Sequence, residues 1–364
     1  MMDFSLFYFA NNDSEMHDRY RLLLDGARFA DENGFAAVWT PERHFHPFGG
    51  LYPNPAVTGA AVAAVTRNVA VRAGSVVAPL HHPMRIAEEW SVVDNISNGR
   101  AGIAFASGWH AADFALRPEN YATRKADLMN TIETVRKLWK REAMQLADGA
   151  GEPVELTMFP PPVQPELPVW LTSSGTPETF ALAGQNGLGM LTHLLGQEVD
   201  VLAQRIEEYR RAYRDAHPGS AGQGHVALML HTFVGSDREA VRETVREPFS
   251  RYLASSFDLV IRAAEAAGAE GAAVSRELKN MSPEDVDFLI SQAFDRYFQT
   301  SGMFGTVDDC MGVLKVIKDA GVDEVACLVD FGVETDTVVD AFTDLARLHE
   351  TWRAHEAALG SVSP

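Results

Sequence analysis

Short apolar runs alternate along this chain with longer amphipathic stretches, and turn residues separate each pair. Phe4 to Phe9 is the first run, of a length that suits a buried strand. Residues 17–33 then place Tyr20, Leu23, Leu24, Ala27 and Ala30 at helical spacing, and Asn33-Gly34 marks the helix end. Phe35 to Trp39 predicts a second strand. A loop over Pro41–Pro53 leads to a small-residue helix from Asn54 to Thr66. Val69 to Val77 predicts a third strand, Pro83 to Ile96 a helix closed by Asn98-Gly99, and Ala101 to Ala106 a fourth strand. Residues 123–140 predict a strong helix around Leu128, Ile132, Val135, Leu138 and Trp139.

The alternation pauses over 141–167. Asp148 to Gly151 reads as a turn, Val154 to Phe159 alternates like a hairpin strand, and Pro160, Pro161, Pro162 and Pro165 make the next stretch stiff and extended. It then resumes. Strands are predicted at Val169–Thr172, Leu188–Leu194 and Val226–Phe233, and helices at 177–186, 198–215 and 237–253. Residues 254–300 read as a mostly helical insertion with breaks at Gly268, Gly271 and Ser282-Pro283. A helix over Thr306–Ala320, a strand over Val325–Val329 and a last helix over 335–355 complete the chain. About eight strands of parallel type result, nearly all followed directly by a helix. A Rossmann-like open sheet would show a glycine-rich turn after its first strand, but Ala10 to Ser14 contains no glycine. The fold class predicted is α/β, a (β/α)8 TIM-type barrel, as one domain over 1–364 with insertions at 141–167 and 254–300.

Composition narrows the function. Of the 364 residues, 46% are apolar and 22% charged, the balance of a folded globular protein. The net charge of −19 repels phosphate backbones and anionic lipid, so neither nucleic acid nor a membrane is an expected partner. Two cysteines, Cys310 and Cys327, form no zinc motif. No signal peptide and no run of about 18 apolar residues is seen, and the expected location is the cytoplasm.

In such barrels the chemistry lies where strands end and the following loops begin. Seven of the twelve histidines (His44, His46, His81, His82, His110, His193 and His231) fall at those positions. A metal site is one reading, although no HExxH occurs and Glu42 is the nearest acid at strand two. A phosphate-bearing cofactor is another: Ser173 to Glu178 joins a strand to a helix start rich in small and hydroxyl-bearing residues. An ordinary polar rim is the third, with Thr176 a plain N-cap before Pro177 and His231 a structural group.

Taken together, several segments resemble the bacterial luciferase-like flavin monooxygenase family. They are Trp39 to Phe45, Asn54-Pro55, Gly74 to Arg85, Asp94 to Arg100, Ala104 to Trp109, Pro168 to Gly175 and Gly305 to Asp308. Phe105 to His110 and Leu191 to Gly196 are most similar to the branch found in polyketide and nonribosomal peptide clusters. The resemblance implies a barrel that binds reduced FMN at its strand ends and uses O2 to tailor a secondary metabolite by hydroxylation, N-oxidation or Baeyer-Villiger insertion. It implies that Ser174, Gly175 and Thr176 hold the phosphate and that Val76 and Val77 carry a non-proline cis peptide under the flavin. Ser107 and Gly108 would lie beside the ring and His193 against it, while Glu42 and His44 stand at the substrate side. His44 would relay protons. The luciferases carry two adjacent histidines here. This chain has Arg43 in place of the first, so luciferase-type base chemistry and light emission do not transfer. Arg43 reads either as a fork of donors for an anion or carbonyl, or as a salt-bridge partner of Glu42 or another rim acid. Phe45, Phe48, Trp109 and Phe304 are candidate apolar walls, and 254–300 a candidate lid or dimer surface. Expected partners are a flavin reductase, O2, a free or carrier-protein-bound substrate and a second copy of the chain. The alternatives are a deazaflavin-dependent hydride-transfer enzyme and a catalytically silent partner subunit.

Overall fold

The computed structural model describes residues 1–9, 18–46, 49–195, 197–220, 222–266 and 281–360. Strands of Val, Ala, Leu and Phe with almost no charge form its centre, because a sheet covered by helices has apolar residues on both faces. These are β1 (Asp3–Phe7), β2 (Ala37–Thr40), β3 (Ala70–Val77), β4 (Ala101–Ala106), β7 (Val169–Thr172), β8 (Gly189–His193), β9 (Val226–Val234) and β11 (Glu324–Leu328). All are parallel to their neighbours, and the pairing of β8 with β9 and of β11 with β1 closes an eight-stranded barrel. Helices α1 (Arg21–Glu32), α2 (Pro55–Val65), α3 (Pro83–Ser97), α4 (Arg124–Trp139), α5 (Pro177–Gln185), α6 (Val199–Ala216), α7 (Arg238–Ala266), α8 (Pro283–Arg296), α9 (Val307–Asp319) and α10 (Thr335–Gly360) connect or follow the strands. The fold is the (β/α)8 barrel that the alternation predicts. β5 (Met144–Ala147) and β6 (Pro153–Leu156) form an antiparallel hairpin in the pause before β7.

Cap chemistry explains several boundaries. Asn54 accepts from the N–H groups of Ala56 and Val57 to start α2, and Thr306 and Asp309 form a reciprocal capping box at α9. His82 lies at α3, where its Nδ1 accepts from the Met84 N–H at 3.2 Å, so this rim histidine caps a helix.

Some expectations need correction, and one break is borne out. The helix predicted to stop at 253 runs on to Ala266 with Pro248 inside it. Of the insertion's predicted breaks, Gly268 and Gly271 lie outside the described residues, whereas Ser282-Pro283 is the N-cap of α8. A strand β10 (Met303–Gly305) pairs with the end of β9, where only loop was predicted; three residues are too few to show a period. Phe304 on that strand is buried against Phe249, Phe298 and Phe331 and belongs to the core, not to a substrate wall.

The N-terminal half of the barrel interior is filled by one polar cluster. The fully buried Glu324 accepts from Ser5 Oγ at 2.6 Å, from Trp39 Nε1 at 2.8 Å and from Arg72 Nη1 at 2.7 Å. The Arg72 guanidinium lies between the rings of Trp39 and Trp170, 4.9 and 4.6 Å from their centroids. Trp170 Nε1 reaches His225 Nδ1 at 2.9 Å, and His225 Nε2 lies 3.4 Å from Glu324. This plug closes the bottom and leaves the opposite end for ligands.

Candidate functional site

At the other end, β2 stops at Thr40, and Glu42, two residues on, is buried. The Glu42 carboxylate is fully buried. Its Oε1 lies 2.8 Å from His44 Nε2 and 2.6 Å from His81 Nε2, and its Oε2 accepts from the Val77 N–H at 2.7 Å. Burial pushes this carboxyl up, but the bonds from His44, His81 and Val77 outweigh burial and hold it below its ordinary value. An ionised carboxylate only accepts, so both imidazoles donate Nε2–H to it and turn Nδ1 away. Burial lowers His81, yet the bond to Glu42 and the charges of Glu42 and Glu89 together outweigh it, and the net shift is upward. A carboxylate carrying two oriented imidazoles, each partly open to solvent, can hold or move a proton at Nδ1.

Arg43 does not pair with that carboxylate, which is engaged by His44, His81 and Val77. Its guanidinium carbon lies 4.2 Å from the centroid of Phe9, just after β1, and 5.6 Å from that of Trp109, after β4. Gly49 permits this position: a Cβ there would come within 2.5 Å of Arg43 Cγ. Burial lowers the Arg43 pKa, but from a value so high that the charge stays. His193, at the end of β8, is driven down to about 4 by burial and by the Arg43 charge. His231 on β9 is driven down to about 3 by burial and by His193. Both are neutral near pH 7. His231 is not the satisfied structural histidine expected: its Nε2 has no hydrogen-bond partner among the described residues, and the ring is surrounded by Phe249, Tyr252, Tyr297 and Phe331.

The turn from β7 to α5 holds Ser174, Gly175 and Thr176. Ser173 Oγ accepts from the N–H groups of Gly175 and Thr176 at 3.2 and 3.1 Å. Thr176 is the N-cap by position, but its side chain makes no capping bond and stays exposed, as does Ser174. Gly175 has φ +117°, and a Cβ on it would lie 2.8 Å from Gln197 Oε1. Gln197 is buried and donates through Nε2 to the His193 carbonyl at 2.6 Å, while its Oε1 has no partner among the described residues. A turn with open hydroxyls at a helix start, beside a buried orphan acceptor, suits a ligand bearing both phosphate and hydroxyl groups.

Val76 and Val77 end β3 and are buried. The non-proline cis bond is Gly74-Ser75, not one at Val76-Val77. The register with β4 shifts between Gly74 and Val76, at a glycine whose Cβ would lie 2.6 Å from the Phe7 ring. Ser107 and Gly108 come just after β4, and Gly108, at φ +75°, packs so closely that a Cβ would meet Val77 and Phe114 at 2.9 Å. Phe45 and Trp109 are exposed at this mouth, and Phe48 lies outside the described residues. The predicted residues from β2, β3, β4, β7 and β8 thus share the C-terminal end of the barrel.

A family model described as luciferase-like monooxygenase matches residues 2–324. The chain belongs to the luciferase-like monooxygenase family. A curated relative, the oxygenase component of a flavin-dependent trigonelline monooxygenase from Acinetobacter baylyi, is 28% identical over 254 residues, 68% of this chain and 69% of that one. Two solved structures share the fold. One is the oxygenating constituent of 3,6-diketocamphane monooxygenase from Pseudomonas putida, a type II Baeyer-Villiger monooxygenase in complex with FMN. It has a TM-score of 0.72 at 18% identity, covering 95% of this chain and 96% of that one. The other is an F420-dependent secondary alcohol dehydrogenase, with a TM-score of 0.65 at 17% identity, covering 94% and 97%.

Within this luciferase-like frame the structure adds residues that the sequence did not single out for the site. His81 was visible as a rim histidine, but nothing in the sequence tied it to Glu42. Gln197 carries no motif and reaches the Gly175 turn only because β7 and β8 are neighbours. His110 and Asp113 form a buried pair at 3.2 Å after β4.

Proposed function

We propose that this chain is the oxygenase component of a two-component system, taking reduced FMN from a separate reductase and using O2 to oxygenate an organic small molecule. The observation that carries this reading is the buried, unpartnered Gln197 Oε1 beside the Gly175 turn, at the same barrel end as the Glu42–His44–His81 cluster. Bound and reduced, FMN supplies the electrons with which one oxygen atom of O2 goes to the substrate and the other leaves as water. The hydroxyls of Ser174 and Thr176 and the start of α5 hold the phosphate. Gln197 accepts from a hydroxyl of the sugar chain. Val76, Val77, Ser107 and Gly108 back the ring, and neutral His193 flanks it without adding charge. Glu42 fixes His44 so that its Nδ1 takes or returns the proton, and the rings of Phe45 and Trp109 keep bulk water out.

The reaction proposed is hydroxylation, N-oxidation or Baeyer-Villiger insertion in the tailoring of a secondary metabolite, on a free or carrier-bound substrate. Two copies would associate through α2, which has no charged residue and exposes Val57. No helix among the described residues is long and apolar enough to cross a membrane, and both cysteines are buried free thiols, which suits a reducing compartment.

The test is FMN titration of the purified chain, followed by oxygen uptake with a flavin reductase and NADH. Saturable FMN binding, weakened at least tenfold in Gln197→Leu, and uptake above that of the reductase alone support the proposal. Binding of a deazaflavin with no response to O2 overturns it in favour of hydride transfer. Absence of any flavin binding overturns both and leaves a silent subunit.

A further inference from the structure

Two side chains at the end of β8 are fixed by neighbouring backbone groups, and each keeps one polar atom without a partner. His193 Nδ1 accepts from the Leu195 N–H at 3.1 Å. A backbone N–H can only donate, so Nδ1 carries no proton, and the neutral ring holds its single proton on Nε2. Burial and the Arg43 charge keep the ring neutral near pH 7. No described residue meets Nε2, and the imidazole is only half-buried, so open space adjoins it.

Gln197 is fixed as firmly. Its Nε2 lies 2.6 Å from the His193 carbonyl and 3.3 Å from Thr192 Oγ1. A carbonyl only accepts, so the amide cannot be turned round without setting oxygen against oxygen. The unpartnered buried atom is therefore Oε1, an acceptor. A Cβ on Gly175 would lie 2.8 Å from it, which puts this acceptor beside the turn that carries the exposed Ser174 and Thr176. His193 comes next, joined to Gln197 through its own carbonyl. Open hydroxyls, an acceptor and a donor thus follow one another, as phosphate, sugar chain and ring do along FMN. On reduction, N5 of the ring gains a proton and becomes a donor, whereas the carbonyl oxygens gain negative charge. An Nε2–H that cannot switch to accepting is matched to those oxygens, and its bond to them is stronger in the reduced state.

We propose that His193 is a specificity-determining residue: its Nε2–H, fixed by the Leu195 N–H, donates to a carbonyl oxygen of the flavin ring and makes the mouth favour reduced over oxidised FMN. This role rests on the FMN reading of the mouth, whereas the tautomer of His193 can be read without any flavin. Nitrogen NMR of the isotope-labelled, ligand-free chain, with His193→Phe to assign the signal, shows which ring nitrogen is protonated. Titration of wild type, His193→Phe and His193→Gln with oxidised FMN, and without oxygen with dithionite-reduced FMN, gives the ratio of the two dissociation constants. The midpoint potential of the bound FMN is measured on the same samples.

The expected result is a proton on Nε2 and none on Nδ1 in the wild type. His193→Phe lowers the preference for reduced FMN about tenfold, which is about 30 mV in a two-electron midpoint potential, with an unchanged circular dichroism melt. His193→Gln, which brings an N–H to a similar reach, keeps part of the preference. A ring protonated on Nδ1 overturns the inference, as does an unchanged ratio in His193→Phe; either leaves the flavin reading standing. A ratio that falls as far in His193→Gln as in His193→Phe assigns the effect to packing and also overturns it. If neither form of FMN binds the wild type, the flavin reading itself falls and the role of His193 falls with it, whatever its tautomer.

Discussion

Two glutamates are buried in the same barrel, one at each end. Glu324 has partners that do not trade protons at ordinary pH: the Arg72 guanidinium, the Ser5 hydroxyl and the Trp39 indole, with His225 more distant. Glu42 has two imidazoles and one backbone N–H, and both imidazoles are partly open to solvent. Glu324 sits in a closed plug, held down to about 2 by the Arg72 charge and its hydrogen bonds against the opposing effect of burial. Glu42 is also held down against burial, but by hydrogen bonds from two imidazoles and a backbone N–H rather than by a guanidinium. Burial alone does not make a carboxylate functional. The partners decide whether its charge is locked or exchangeable.

Removing each carboxylate should separate the two roles. Glu324→Ala leaves the Arg72 charge and two donors buried without their acceptor, and unfolding free energy should fall by about 3–5 kcal/mol in urea titrations. Turnover per folded molecule should not change, because nothing at the mouth touches Glu324. A loss under about 1 kcal/mol would show that the plug is not a stability element. The same group sets an acid limit. Its folded value is depressed from 4.5 to about 2, so its contribution is complete above about 4.5 and fades as pH falls toward 2.

Glu42→Gln should show the opposite balance. An amide carries no charge, and its NH2 end must face either the Val77 N–H or the two imidazole N–H groups, donor against donor, so the arrangement that orients His44 is lost. Turnover should fall about 10²-fold, with a smaller loss of stability than in Glu324→Ala. Steady-state oxygen uptake and urea unfolding of the same preparation measure both. A variant that loses more stability than turnover would make Glu42 a second structural plug.

Gly175→Ala probes the mouth where it should bind the cofactor. At φ +117° a Cβ is strained, and it would press on Gln197 Oε1 at 2.8 Å. FMN affinity should fall about tenfold, or roughly 1.4 kcal/mol, as read by flavin fluorescence. Unchanged affinity would place the phosphate elsewhere.

The two ends also differ in how visible they are in sequence. The mouth was legible because strand ends can be predicted and its polar residues break apolar runs: Glu42, His44 and Ser174 to Thr176 interrupt the pattern. The plug was not. Arg72 and Glu324 lie within or against Val-rich strands, and only the closure of β11 on β1 brings Glu324 to Ser5 and Trp39. Long-range pairing also explains Gln197, which meets Gly175 across neighbouring strands. The cis bond was misplaced for a related reason. It sits at a register shift set by Gly74 against the Phe7 ring, which no local motif encodes.

The smallest expected effect is a difference in sign between the two ends as pH changes. His81 at the mouth is raised above 6.5 by Glu42, so folding favours its charged form. Its contribution is complete below 6.5 and is lost as pH rises through the raised value. His225 at the plug is lowered, chiefly by burial, so folding favours its neutral form. Its contribution is complete above 6.5 and is lost as pH falls below it. Urea unfolding at a series of pH values should show wild-type stability declining on both sides of a maximum near neutrality. His81→Asn should flatten the alkaline side alone, and His225→Asn the side below 6.5 alone. If His81→Asn runs parallel to wild type across the alkaline range, Glu42 holds no exchangeable proton with His81, and the contrast between the two glutamates rests on His44 only.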